Sequence, residues 1–241
     1  MPRIPLIEDL TKGLVPSGTR FLVEYDSASE WYNASITIAA GWLRSGGRVA
    51  YNVASQPPSN IRLQLQRLGI DSRKLEENDD LHIYDWYSAT LGQKSAEKLK
   101  EDSLRVADLS VAFLKEIKEL TESISQSASG MMILDDASTL DRFNDEKAWV
   151  EFVLNRLIAR EPIRPDPQIV VIGLIKGLHS ERVYKRLEAA FDSVIDLKLD
   201  DSGEETKNMI RIRSMRNVGF DSRWHSLRVD ENFEAVIESK N

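Results

Sequence analysis

The sequence predicts an α/β protein with a mostly parallel central sheet, helices on both faces of that sheet and an antiparallel extension at the C-terminal end. Short apolar runs alternate with helical patterns as far as Phe191, and this alternation favours crossover connections and parallel pairing. After Phe191, short strand-like runs follow one another with only turns between them, which favours antiparallel pairing. The length of 241 residues suits one large domain, and we expect a single domain over residues 1–241.

The predicted strands are apolar runs bounded by polar or turn residues. The first five each precede a helical pattern, and they are Phe21–Glu24, Arg48–Val53, Leu81–Tyr84, Met131–Leu134 and Ile169–Ile175. The four short strands of the extension are Val194–Leu199, Met209–Met215, Ser226–Val229 and Ala235–Ile237.

The predicted helices are segments in which apolar residues recur at steps of three or four, often bounded by proline or glycine. They are Trp31–Arg44, Ser59–Leu68, a long amphipathic stretch from about Lys98 to Ser127, Glu146–Arg160 and Ser180–Phe191. The first of these ends at the pair Gly46-Gly47, and the second ends at Gly69.

Composition limits the possible functions. The net charge is −7, so binding to nucleic acid or to an anionic membrane would need a local basic patch. The chain has no cysteine, which excludes disulfides, thiolate metal sites and cysteine nucleophiles. No apolar run approaches the roughly 20 residues of a membrane span, and no signal peptide is recognisable. We expect a cytoplasmic protein that has no contact with a membrane.

The turn after the first strand lies where a phosphate-binding loop would occur, but it does not match the motif G-x-x-x-x-G-K-[ST]. Tyr25 and Glu30 take the glycine positions, Trp31 takes the lysine position and Tyr32 takes the hydroxyl position. The degenerate loop comprises Tyr25, Asp26, Ser27, Glu30, Trp31 and Tyr32. The stretch Ser27-Ala28-Ser29-Glu30 instead predicts a capping box, in which side chains satisfy the donors that a phosphate would otherwise take.

The chain resembles the KaiC-like branch of the RecA-type ATPase superfamily, over nearly its whole length. The resemblance rests on the order and spacing of several segments rather than on one motif. They are "GLVPSGTRFLVEYD" (13–26), "GGRVAYNVASQPPSNIRLQLQRLGID" (46–71), "LHIYDWYS" (81–88), "VADLSVAFLKEIKEL" (106–120), "GMMILDDASTL" (130–140), "FDSVIDLKLDD" (191–201) and "IRIRSMRNVGFDSRWHSLRV" (212–229). The resemblance implies a RecA-like fold of the phosphate-loop NTPase class.

The resemblance also implies that catalytic residues of the family are replaced in this chain. Family members carry two glutamates after the second strand, one of which activates the attacking water. Ser55 and Gln56 stand there in this chain, and neither can act as a carboxylate base. The aspartate that supports Mg²⁺ at the end of a strand corresponds to Asp135, with Asp136 beside it, although a polar residue closing a buried strand is the simpler interpretation.

Basic side chains of the family's Lys-Met-Arg triplet reach a phosphate on the neighbouring subunit. The corresponding residues here are Ser214, Met215 and Arg216, so only the arginine remains. Arg216 could contact a neighbouring subunit or act in trans as an arginine finger, and a solvated strand-end arginine is the alternative interpretation.

A cluster of basic residues lies in the C-terminal extension. The basic strip at 207–228 comprises Lys207, Arg211, Arg213, Arg223, Trp224 and Arg228. Basic residues interleaved with an aromatic can bind nucleic acid, and they can equally face an acidic protein partner. The RecA-like subunits of the Elongator complex, which lack normal phosphate loops and bind tRNA, offer an analogy at the level of the fold.

The first hypothesis is a catalytically inactive KaiC/RecA-like domain, a pseudo-ATPase. It would act as a scaffold or regulatory subunit, as a homo-oligomer or with a paralogous KaiC-like partner. The alternatives are a nucleic-acid-binding module that uses the basic strip, and a sensor that binds a nucleotide or signal without the usual loop. The three histidines lack ligand spacing, and we expect neither a metal nor a cofactor.

Overall fold

The computed structural model of the chain describes residues 3–111, 130–158 and 168–238. Its strands form a nine-stranded sheet in the order β3-β2-β4-β5-β1-β6-β7-β8-β9. The six strands from β3 to β6 in this order pair in parallel, whereas β7, β8 and β9 join the β6 edge by antiparallel pairing. The predicted fold class is confirmed.

Each predicted strand is present within one or two residues of its expected bounds. The strands are β1 (Arg20–Tyr25), β2 (Arg48–Val53), β3 (Leu81–Asp85), β4 (Gly130–Leu134), β5 (Ile169–Ile175), β6 (Ser193–Asp200), β7 (Lys207–Met215), β8 (His225–Val229) and β9 (Ala235–Ile237). All five residues of β4 are buried, as expected of a central parallel strand that is covered on both faces.

The helices lie on both faces of the sheet. They are α1 (Ile7–Leu10), α2 (Trp31–Arg44), α3 (Pro58–Arg67), α4 (Ser72–Glu77), α5 (Tyr87–Thr90), α6 (106–111), α7 (Glu146–Phe152) and α8 (Glu181–Ala190), with a 3-10 helix at Ala137–Arg142 and a π-helix at Val153–Ile158. Helices α2 and α3 pack on one face, and α6, α7 and α8 pack on the other. The short helices α1, α4 and α5 were not predicted.

The predicted helix from Lys98 to Ser127 is wrong in its first part. Residues 98–105 are not helical, and α6 begins only at residue 106. The backbone here pairs with the edge of β3 instead, because the Asp85 N–H donates to Leu99 O and the Glu101 N–H donates to Asp85 O. Residues 112–127 of the prediction lie outside the described residues.

Within the described ranges, no helix is both long and apolar enough to cross a membrane.

Candidate functional site

The turn between β1 and α2 is closed by contacts that differ from the predicted capping box. The Ser29 N–H donates to Asp26 O over 2.8 Å, and α2 begins at Trp31. The Glu30 N–H donates to Oδ1 of Asn208 on β7 (2.9 Å), and the Glu30 carboxylate accepts a hydrogen bond from Asn33 Nδ2 (2.6 Å). The predicted capping box between Ser27 and Glu30 is therefore wrong. The Glu30 N–H, which was expected to donate to the Ser27 hydroxyl, donates to Asn208 instead.

Trp31 points into the protein beneath this turn. Its side chain is buried, with 3% exposure, and its ring lies 5.9 Å from the Tyr25 ring at an interplanar angle of 34°. The indole Nε1 donates to the backbone oxygen of Asp135 over 2.7 Å. The Trp31 side chain is thus fixed to the end of β4.

Gly173 on β5 makes this placement of the indole possible. A Cβ at position 173 would lie 2.2 Å from Asp135 O and 2.5 Å from Trp31 Nε1, which is far inside van der Waals contact. Sequence reasoning missed Gly173, although a lone glycine within a strand-like run signals a close approach of backbone or side chain. The glycine provides space for the tryptophan.

The Asp135 carboxylate lies at the carboxyl end of β4 and is satisfied from within the chain. Its Oδ1 accepts the Ala54 N–H (2.7 Å), and its Oδ2 accepts the Ser55 hydroxyl (2.6 Å). The residue is 2% exposed. Burial raises the pKa of Asp135 to about 6, against the opposing effect of the hydrogen bonds from Ser55 and Ala54.

Asp136 stabilises the 3-10 helix that follows β4. Its Oδ1 accepts the Ser138 N–H (2.9 Å), and its Oδ2 accepts the Thr139 hydroxyl (3.0 Å). Burial raises the pKa of this carboxyl above its usual value. Burial also raises the pKa of Tyr25, and the negative charges of Asp136 and Asp135 raise it further.

Ser55 and Gln56 lie in the segment between β2 and α3. Ser55 donates its hydroxyl to Asp135, whereas the Gln56 side chain accepts a hydrogen bond from Asn60 Nδ2 over 2.8 Å. Asp26 turns towards β6, where its Oδ2 accepts the Leu199 N–H (3.1 Å). The structure therefore brings together Tyr25, Trp31, Ser55 and Asp135, while Asp26 is directed elsewhere.

A cleft of about 610 Å³ lies over the carboxyl ends of the parallel strands. In open α/β sheets this is the edge where ligands bind. The cleft is lined by Tyr25, Ser27, Ser29, Trp31, Tyr32, Ala54, Ser55, Gln56, Tyr87, Thr90, Leu91, Asp135, Asp136, Ser138, Thr139, Asp141, Arg142, Ile175 and Leu178. Its lining has three carboxyl groups and one guanidinium, and burial raises the pKa of Tyr32 to about 12.

The arginines of the basic strip are paired with carboxylates. Arg211 lies 2.8 Å from Asp196 and Arg213 lies 3.0 Å from Glu24, and both of these acids are buried. The closest distances of the other two pairs are 2.6 Å for Arg223–Asp221 and 3.4 Å for Arg228–Glu238. Trp224 stacks under Arg211, with the guanidinium carbon 4.4 Å from the ring centroid, and Lys207 is exposed at the start of β7. Most of the predicted positive patch is thus neutralised within the chain.

Arg216 lies far from the cleft. It follows Met215, which pairs with Ser193 at the amino end of β6, and the cleft lies at the carboxyl ends of the parallel strands. The Arg216 side chain is 55% exposed and donates from Nη2 to Ala189 O over 2.9 Å. Within one chain, Arg216 and the cleft occupy opposite edges of the sheet.

In the part of the chain that the structure describes, no group of three or more His, Asp or Glu side chains is arranged to hold a metal ion.

Comparison with solved structures supports the fold. A KaiC-like protein from the hyperthermophilic archaeon Pyrococcus horikoshii superposes with a TM-score of 0.70 at 16% identity, over 98% of this chain and 96% of that chain. An uncharacterised protein from the same organism, solved in complex with an unknown peptide, gives a TM-score of 0.75 at 16% identity, over 95% of each chain. At this level of identity the likeness is one of fold.

Comparison of sequences identifies the family. A search among curated proteins found no match. The model of the KaiC family of ATPases matches residues 38–241, which is most of the chain and begins within α2. The chain therefore belongs to the KaiC family of ATPase domains and has its RecA-like fold.

Proposed function

We propose that this KaiC-family domain does not hydrolyse ATP and acts as a scaffold or regulatory subunit. The observation that carries the proposal is the position of Trp31. Its indole donates to Asp135 O and lies against Gly173, at the point in the chain where the family pattern has the lysine of the phosphate loop. A neutral ring in that position supplies no cation for the outer phosphates.

The surrounding groups support the same proposal. Both oxygens of Asp135 already accept hydrogen bonds from the segment after β2, so a magnesium ion would have to displace them. Mg²⁺ in NTPase sites relies on carboxylates together with the oxygens of the nucleotide. Neither Ser55 nor Gln56 can act as a carboxylate base, and a cleft lined by Asp135, Asp136 and Asp141 disfavours a triphosphate electrostatically.

The regulatory part of the proposal rests on family membership and on Arg216. This exposed side chain lies at the edge of the sheet opposite the cleft. It therefore cannot reach the cleft of its own chain, but it can approach the cleft of a neighbouring subunit. We propose that the domain assembles with copies of itself or with a paralogous KaiC-like subunit, and that Arg216 contributes to that contact.

Binding to nucleic acid is the alternative function. The pairing of Arg211 and Arg213 with buried carboxylates disfavours it, because counterion release requires cations that are free to neutralise phosphates.

The direct test of the enzymatic part is phosphate release from Mg-ATP by the purified protein, with Asp135→Ala as the matched variant. We expect the same background rate from both proteins. ATP hydrolysis by the wild type that is abolished in Asp135→Ala would contradict the proposal, since a contaminating ATPase would not respond to that substitution.

Assembly is tested separately by sedimentation velocity over a range of concentrations, alone and with a KaiC-like paralogue. We expect association in at least one of these conditions, weakened by Arg216→Glu. A protein that stays monomeric in all of them would contradict the scaffold role.

A further inference from the structure

A buried group of charged side chains lies on the α8 face of the sheet, away from the cleft. Glu24 on β1 is the register partner of Asp196 on β6, and Asp196 is the register partner of Arg211 on β7. The two acids are buried, with exposures of 4% for Glu24 and 2% for Asp196. Two carboxyl groups therefore lie side by side on adjacent strands in the interior, an arrangement that costs free energy unless the charge is compensated.

The compensation from neighbouring elements is incomplete. Arg213 Nη2 lies 3.0 Å from Glu24 Oε2 and 2.8 Å from Glu188 Oε1 on α8, and its Nη1 lies 3.4 Å from Asp196 Oδ1. Arg211 Nη2 lies 2.8 Å from Asp196 Oδ2. Helix α8 also brings the phenol of Tyr184 to this face. Three carboxyl groups thus meet two guanidinium groups, which leaves one negative charge in excess if every acid is ionised.

Two oxygens in this group have unused hydrogen-bonding capacity. Among the residues that the structure describes, Glu24 Oε1 and Asp196 Oδ1 are buried and make no hydrogen bond. An ionised carboxylate can only accept a hydrogen bond, whereas a protonated one can also donate. A single proton on Glu24 would remove the excess charge and would allow Glu24 to donate a hydrogen bond to its register partner Asp196.

We propose that protonated Glu24 donates a hydrogen bond to Asp196 and that Glu24 loses this proton near neutral pH, which makes the junction between β1 and β6 a pH-sensitive element of the fold. This inference does not depend on the proposed loss of ATP hydrolysis.

Electrostatics supports the assignment. Burial raises the pKa of Glu24 to about 7 from an ordinary value of 4.5, more than the neighbouring Arg213 lowers it, and the charges of Glu188 and Asp196 raise it further. Between these two values the folded protein holds the proton more tightly than the unfolded chain. The stabilisation that this proton provides is therefore complete below pH 4.5 and is lost as the pH rises towards 7. Over this range the folding equilibrium constant falls by up to a factor of ten per pH unit.

The junction is connected to the turn over the cleft. One residue beyond Tyr25, the Asp26 N–H donates to Leu197 O (3.2 Å), and the Leu199 N–H donates to Asp26 Oδ2 (3.1 Å). Ionised carboxylates on Glu24 and Asp196 would repel each other next to these bonds. We expect the hydrogen-exchange protection of the Asp26 and Leu199 amides, corrected for the intrinsic rate, to decrease on going from pH 6 to pH 8.

The first test is a titration of the Glu24 side-chain carboxyl carbon by NMR in the wild-type protein. We expect a midpoint near pH 7, well above the ordinary value of 4.5 for a glutamate. A midpoint near 4.5 would overturn the proposal. This measurement needs no variant and decides the question even if a substituted protein does not fold.

The second test compares urea unfolding of the wild type, Glu24→Gln and Asp192→Asn between pH 5 and pH 8. Glutamine keeps a neutral donor at position 24, so the fall in stability towards pH 7 should be smaller in that variant. Asp192, whose pKa is lowered chiefly by its partner Arg20 against the effect of burial, titrates below this range, and Asp192→Asn should keep the wild-type slope. A wild-type slope in Glu24→Gln would overturn the proposal.

Discussion

The indole of Trp31 lies against Gly173, and a methyl group added at position 173 would approach Nε1 to 2.5 Å. The same methyl group would approach the backbone oxygen of Asp135, the acceptor of the indole N–H, to 2.2 Å. A side chain from the start of α2, the end of β4 and a glycine in β5 thus form one packed unit. Trp31 and Asp135 also line the cleft at the carboxyl ends of the parallel strands.

The first prediction concerns the space at position 173. Gly173→Ala should lower the free energy of unfolding by about 1–3 kcal/mol, because overpacking forces a shift of backbone as well as of the indole. Gly203→Ala is the control, since the nearest atom to its added Cβ is 3.9 Å away. Urea denaturation of both variants measures the difference, and equal stability of the two would contradict the packing described for Trp31.

The second prediction isolates the hydrogen bond of the indole. Trp31→Phe keeps an aromatic ring but leaves Asp135 O without its donor, which should cost about 1–3 kcal/mol. Trp86→Phe is the matched control, because Trp86 is also buried and its Nε1 makes no hydrogen bond to any described residue. If the two substitutions reduced stability equally, the Trp31 bond would have no special role.

The strands were predictable from sequence because burial on both faces produces continuous apolar runs, as in Ile169–Ile175. The contacts within the candidate site were not predictable from sequence, because they join residues that are distant in the chain. Trp31 and Asp135 are 104 positions apart, and Asn208, which replaces the predicted cap at Glu30, is 178 positions away. Local patterns contain no information about such partners.

The early part of the predicted helix after Lys98 shows the same limit. The apolar residues at helical spacing begin at Leu104, and the residues before it pair with β3 instead. Leu99 O accepts a hydrogen bond from the Asp85 N–H, and the Glu101 N–H donates to Asp85 O. Tertiary pairing at a sheet edge overrides helix propensity, which is a weak determinant by itself.

The third prediction concerns pH and Asp135. Because burial raises its pKa from 3.8 to about 6, the proton stabilises the fold at low pH, and this contribution is lost as the pH rises to 6. Above pH 6, the ionised carboxylate depends on the Ser55 hydroxyl. Ser55→Ala should therefore raise the pKa of Asp135 further and should cost about 1.5–3 kcal/mol at pH 8 and less at pH 5.

The control for this prediction is Ser202→Ala, which removes an exposed serine hydroxyl bonded to Asp200 over 2.7 Å. Its stability should follow the wild type at both pH values. A Ser55→Ala variant with the same loss at pH 5 and pH 8 would show that the effect is one of packing and not of charge.

The fourth prediction concerns the basic strip. Arg213→Met should lower stability by about 3 kcal/mol, since it leaves the buried carboxyls of Glu24 and Asp196 without their shared cation. Arg223→Met, which removes an exposed pair with Asp221, should change stability too little to resolve. Comparable losses in both variants would contradict a structural role specific to Arg213.

Binding of nucleic acid by the basic strip can also be measured directly, by fluorescence anisotropy with single-stranded RNA at about 50 mM salt. We expect no binding at micromolar protein. Salt-sensitive binding that is weakened by Lys207→Glu and Arg223→Glu, two exposed positions, would restore the nucleic-acid function.

The measurement that tests the central claim most directly is thermal unfolding in the presence of millimolar Mg-ATP, Mg-ADP or neither. A ligand present at 100 times its dissociation constant stabilises a folded protein by about 2.7 kcal/mol, which is an easily measured shift. We predict no shift with either nucleotide, because in the proposed function Trp31 replaces the lysine of the phosphate loop and both Asp135 oxygens already accept hydrogen bonds from the chain. A clear rise in the unfolding temperature with Mg-ATP, lost in Asp135→Ala, would contradict this account.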